Sequence, residues 1–188
     1  MQKQVRHDTV EVGPFDDLPG SYLEIHPFGR VPTLTNGTFT LFETGAITRY
    51  IDRTFHGSSL LPDGAGALAW MDQVLSVIDS YAYWPMVRQV FSHGYFQPHM
   101  GELGQRTEIQ EGLERTMPVL RFLEQVTYEG LVLSADKPTL ADCHLAPMFD
   151  YFLRVEEVRH TLKDYPTLSS WWQRVSEMDS LKQTDPLT

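Results

Sequence analysis

The sequence predicts an α+β chain of two domains, a small mixed α/β domain followed by an all-helical bundle. Three observations predict it. Two β-prone runs, Val31 to Thr35 and Thr38 to Phe42, are joined by Asn36-Gly37, the strongest short-range hairpin signal, and lead into a helical pattern. A stretch with no periodicity, HGSSLLPDGAG at residues 56–66, gathers Gly, Ser and Pro and marks a boundary. Beyond it every periodic segment is helical. The domains are placed at residues 1–57 and 65–188.

In chain order, Thr9 to Val12 is a short β-prone run that precedes the hairpin. After the hairpin, Ile47, Tyr50, Ile51 and Phe55 recur at helical spacing on one face. In the second domain, Leu68, Met71, Leu75, Ile78 and Ala82 form one apolar seam of a long helix. Trp70, Val74, Val77, Tyr81 and Trp84 form a second. Two seams imply two neighbours: one is the bundle itself, and the other is a partner subunit or the first domain. Pro85 is expected to kink or end this helix, because it removes a donor and clashes with the preceding turn. Further helices are predicted over Ile109 to Val126, Leu140 to Val155 and Leu168 to Met178, with Trp171 and Trp172 in bundle packing.

Composition narrows the function classes. With 41% hydrophobic and 12% aromatic residues in 188, the chain has the material for a packed core. Its formal net charge of −10 repels phosphate backbones and anionic membranes, so neither nucleic acid nor membrane is expected as a partner. No apolar run approaches the roughly 20 residues that span a bilayer. The start MQKQVRHD carries no apolar signal core, and the single cysteine, Cys143, excludes an internal disulfide and a CxxC pair. A reducing cytoplasm fits. The seven histidines show no ligand spacing, and no metal is assigned.

The chemistry gathers between residues 30 and 44. Pro32 cannot donate to a ladder, so it occupies an edge, a strand's first positions or a bulge. Two readings stand: an ordinary edge proline, or a cis Val31-Pro32 bond that turns the Val31 backbone toward an extended, peptide-like ligand. Glu43-Thr44-Gly45 opens a helix, with Thr44 as the expected N-cap. Free N–H groups there suit a ligand carboxylate, and Glu43 suits an ammonium; the plainer reading is a cap beside a solvated acid.

The run HPFGRVPTLTNGTFTLFETGAITRYID closely resembles the glutathione-binding segment of cytosolic glutathione transferases, bacterial members in particular. PTLADCHLAPMFDYF at residues 138–152 and YPTLSSWWQRV at residues 165–175 resemble two helical elements of the same family. The resemblance implies a thioredoxin-like first domain and an all-helical second. It implies that Val31 offers its backbone to the cysteinyl unit of glutathione ahead of a cis Pro32. Glu43 and Thr44 would then hold the γ-glutamyl end, and Arg30 would assist the glycyl carboxylate. Glutathione is the co-substrate so implied, and a small hydrophobic electrophile its partner.

Thr139 and Asp142 form an [ST]-x-x-[DE] capping arrangement, which is structural. Ahead of VRHDTVEV, family members carry a strand and a helix whose start supplies the Tyr, Ser or Cys that activates the thiol. Only four residues precede Val5, too few for both. Three readings stand side by side: a genuinely shortened protein, a start codon placed too late, or a rearranged sheet filled by Thr9 to Val12 or a partner chain. The catalytic residue is unknown: Ser21 and Tyr22 are weak substitutes, and Cys143 and His144 are adjacent helix residues that do not face each other. The electrophile pocket is expected among Tyr81, Tyr83, Trp84, Arg88 and Phe91, of which Tyr81, Trp84 and Phe91 also suit core packing. These readings converge on a homodimeric glutathione-conjugating enzyme. The alternative is a non-catalytic protein of the same fold that binds glutathione or a partner.

Overall fold

In the computed structural model, residues 3, 5–12, 18–134 and 136–184 are described. The chain divides into two compact units, one ending at Ser59 and the other beginning at Leu60.

The first unit contains α1 (Gly20–Ile25), β1 (Thr33–Asn36), β2 (Phe39–Phe42) and α2 (Thr44–Thr54). β1 and β2 pair antiparallel with Thr33 opposite Phe42 and Asn36 opposite Phe39. The two-residue loop is therefore Gly37-Thr38 rather than Asn36-Gly37. Only Gly37 takes a positive φ (62°), as in a type II′ turn, so Asn36 is free to pair in the ladder. Its amide also donates to the Tyr50 hydroxyl at 2.9 Å, and the Tyr50 ring lies 5.0 Å from that of Phe39. These contacts seat α2 on the hairpin, with Ile47 buried beneath it. Among the described residues the sheet has these two strands; Thr9 to Val12, expected as β-prone, forms no strand. Of the four residues ahead of Val5 the structure describes Lys3, whose ammonium pairs with the buried Asp52 of α2 at 2.9 Å.

The second unit is helical. α3 (Ala65–Val77) runs on through two π-helical segments, Ile78–Ala82 and Trp84–Phe96, into the short α4 (Gln97–His99). α5 (Arg106–Glu129), α6 (Leu140–Leu153), α7 (Glu156–Thr161), α8 (Pro166–Val175) and α9 (Asp179–Lys182) follow. Pro85 neither ends nor replaces the helix. It stands second in the Trp84–Phe96 segment, within a run that is helical on both sides, where π-helical turns take in the residue that cannot donate. The seam of Met71, Leu75, Ile78 and Ala82 is buried as its spacing predicts. Val74 of the second seam joins the core, whereas Tyr81 (65% exposed) and Trp84 (55%) stay at the surface.

α5 approaches the π-helical run closely at Gly112: a Cβ there would come within 2.8 Å of side-chain atoms of Gln89 and Val90 and 2.9 Å from the Pro85 carbonyl oxygen. Only a glycine permits that spacing. The N-terminus of α8 is held from outside, since Glu124 of α5 accepts from the N–H groups of Thr167 (3.0 Å) and Leu168 (2.8 Å). Trp171 is fully buried and packs edge-on against Phe149, and Trp172 packs on the same ring. The capping box of Thr139 and Asp142 is formed, and Asp142 also accepts the indole N–H of Trp171 at 2.8 Å. No helix is long and apolar enough to cross a membrane among the described residues.

Candidate functional site

The hairpin register builds the candidate site. Because Thr33 faces Phe42, the residues just before β1 and just after β2 leave the hairpin at the same end, one strand spacing apart. Val31-Pro32 and Glu43-Thr44 thus meet although the hairpin separates them in sequence. The Val31-Pro32 peptide bond is cis. Arg30, Pro32, Glu43 and Thr44 are exposed, and Val31 is 45% exposed despite being apolar.

Glu43, not Thr44, is the N-cap of α2; its carbonyl accepts from Ala46 (3.0 Å) and Ile47 (2.9 Å). Among the described residues no side chain caps this helix, and Thr44 is its first residue. The N–H groups of Thr44 and Gly45 have no carbonyl ahead of them in the helix and point out of its end. Glu43 holds φ 71° and ψ 117°, a conformation that L residues rarely adopt and that costs about 1–3 kcal/mol. Residues held in rare backbone conformations cluster at active sites and ligand clamps.

Behind the exposed face lies an aromatic layer. His26 is buried, stacks on Phe42 at 4.6 Å and meets Phe28 edge-on. Tyr22 is buried as well, and its hydroxyl donates to the Arg30 carbonyl at 2.6 Å. That commitment removes Tyr22 as a free donor, and Ser21 lies exposed beside it on α1. The role of Tyr22 was not legible in the sequence, where nothing signals a side chain that reaches the main chain eight residues on.

The second unit places the remaining candidates on different surfaces. Tyr81 and Trp84 line an apolar groove of about 570 Å³ together with Val77, Pro85 and Phe122. Tyr83 and Arg88 are exposed and line no part of it, and Phe91 is buried, stacked on Tyr151 at 4.5 Å. Of the five, Tyr81 and Trp84 line this groove. His144 turns away from Cys143: its Nε2 meets Oδ1 of Asp79 at 2.6 Å, from within the bundle, while Cys143 is exposed. Among the described residues no cluster of His, Cys, Asp or Glu could hold a metal ion.

Comparison with known proteins agrees with this architecture. The family model described as glutathione S-transferase, C-terminal domain, matches residues 83–179, and the one described as glutathione S-transferase, N-terminal domain, matches residues 3–53. Glutathione S-transferase F10 of Arabidopsis thaliana is 29% identical over 97% of this chain and 86% of its own length. Glutathione S-transferase F14 of the same plant is 31% identical over 80% of this chain and 61% of its own. Among solved structures, glutathione transferase F2 from Populus trichocarpa superposes with a TM-score of 0.75 at 26% identity. It covers 88% of this chain and 78% of that one. The chain belongs to the glutathione S-transferase family.

Proposed function

We propose that the first unit binds glutathione at the open end of its hairpin and that the protein conjugates glutathione, through its sulfur, to a small hydrophobic electrophile. The observation that carries the reading is the register that sets Val31-Pro32 beside Glu43-Thr44. Glutathione is a peptide with a free amino-acid head, and the site offers one partner for each part. The exposed Val31 backbone, ahead of a cis bond, pairs with the cysteinyl unit. The uncapped N-terminus of α2 takes the γ-glutamyl carboxylate, and Glu43 takes its ammonium. Arg30 is assigned to the glycyl carboxylate. Conjugation proceeds by attack of the thiolate on the electrophile, so the bound thiol must lose its proton. The electrophile is assigned by class; Tyr81, Tyr83, Trp84, Arg88 and Phe91 are not assigned to it as a set.

We further infer a cytoplasmic homodimer, supported by the half-covered seam of Val77, Tyr81 and Trp84. A monomer mass by light scattering at micromolar concentration contradicts it. The enzymatic reading is tested with glutathione and a generic aromatic halide. Saturation in both substrates supports it, and glutathione binding without any acceleration favours the non-catalytic alternative.

A further inference from the structure

Tyr22 stands directly behind the exposed Val31 loop. It is 8% exposed and lies on α1, and its hydroxyl is 2.6 Å from the carbonyl oxygen of Arg30 and 3.0 Å from Oγ1 of Thr33. A phenol carries one proton, and a carbonyl only accepts. The Tyr22 proton therefore goes to Arg30, and the Thr33 hydroxyl donates to the Tyr22 oxygen. This makes a directional chain, Thr33 to Tyr22 to Arg30, in which each link polarises the next. Its two ends bracket Val31 and Pro32.

We propose that Tyr22 is a positioning residue for glutathione, a role that rests on the glutathione site proposed above. Backbone pairing with a peptide ligand needs the Val31 N–H and C=O held in one orientation before the ligand arrives, because a loose loop must be ordered on binding. Tyr22 holds the Arg30 main-chain carbonyl on one side of Val31-Pro32 and the Thr33 side chain on the other through one oxygen. The same helix end also braces the other half of the site. The His26 N–H donates to the Tyr22 carbonyl at 2.9 Å, and the His26 ring stacks on Phe42, next to Glu43. Because the Tyr22 proton is already committed to Arg30, Tyr22 acts on affinity and not on thiol ionisation.

The test is Tyr22→Phe, which deletes the hydroxyl and keeps the ring. The KM for glutathione, or its Kd where the wild-type chain binds without turnover, should rise roughly 3- to 10-fold, the worth of one or two lost hydrogen bonds. The kcat and the KM for the electrophile should not change, and the melting temperature should fall by no more than about 4 °C. Thr33→Val removes the donor at the other end and should weaken glutathione in the same way, whereas Thr33→Ser keeps the donor and should bind as wild type. Since one chain is broken in either case, the double variant should be no weaker than Tyr22→Phe alone. A wild-type value for glutathione in Tyr22→Phe, a fall in kcat at unchanged KM, or additive effects in the double variant overturns the role. A folded wild-type chain that binds no glutathione contradicts instead the proposed function itself, so the two failures are told apart by the wild-type titration.

Discussion

Thr33 and Phe42 stand opposite each other in the hairpin, and that single pairing brings two distant stretches of sequence to one edge. Everything proposed for the first unit depends on it. A slip of one residue would send alternate side chains to the wrong face and part Val31 from Glu43.

Glu43 is held at φ 71° in an otherwise ordinary strand-to-helix junction. Glu43→Gly should relieve that conformation, since glycine adopts positive φ without penalty. The net stabilisation should be about 1 kcal/mol once the added freedom of the unfolded chain is deducted. Glutathione affinity should fall in the same variant, because the carboxylate is gone. Thermal melts and a glutathione titration on one preparation check both halves. A lower melting temperature contradicts the strain.

The cap of α6 is stability alone. Thr139→Ala should cost about 0.5–2 kcal/mol. Asp142→Ala removes the acceptor for the Thr139 N–H (2.8 Å), the Thr139 hydroxyl (2.9 Å) and the Trp171 indole N–H (2.8 Å). It should therefore cost about 3 kcal/mol and alter the near-ultraviolet dichroism of the buried tryptophan. Glutathione affinity in the folded fraction should be unchanged by either. An Asp142→Ala variant as stable as wild type sinks the assignment.

At Gly112 helix propensity and packing oppose each other. Alanine is the better helix former by about 1 kcal/mol, so an isolated α5 would gain from Gly112→Ala. The methyl group, however, would meet Gln89, Val90 and the Pro85 carbonyl oxygen at 2.8–2.9 Å. Overpacking of this kind costs typically 1–3 kcal/mol, so the net effect should be a loss of stability in urea unfolding. A gain would show that the π-helical run yields at that contact.

The sequence carried the hairpin, the two-domain division of character and the α6 cap, because each is written locally. Asn36-Gly37 sits between β-prone runs, and Thr139 lies three residues before Asp142. It misplaced the turn by one residue because Asn36 gains a ladder partner and the Tyr50 hydroxyl by pairing, a tertiary gain that turn propensity does not register. Thr44 was read as the cap of α2 from residue type, yet Glu43 takes that place through a rare backbone conformation that no composition signal announces. Pro85 was expected to kink or end its helix; the helix does not end there, because the run from Ala65 to Phe96 passes through it by widening into π-helical turns. Tyr22, His144 with Asp79, and Gly112 were out of reach for one reason: each acts across elements that periodicity describes only one at a time.

The most direct measurement is a calorimetric titration of glutathione into the 188-residue chain, run beside Glu43→Ala. Saturable binding by the wild type is predicted, weakened about tenfold or more in the variant, as for loss of a charged hydrogen-bond partner. Equal binding by the two, or no binding by a folded wild-type chain, would contradict a glutathione site at the end of this hairpin.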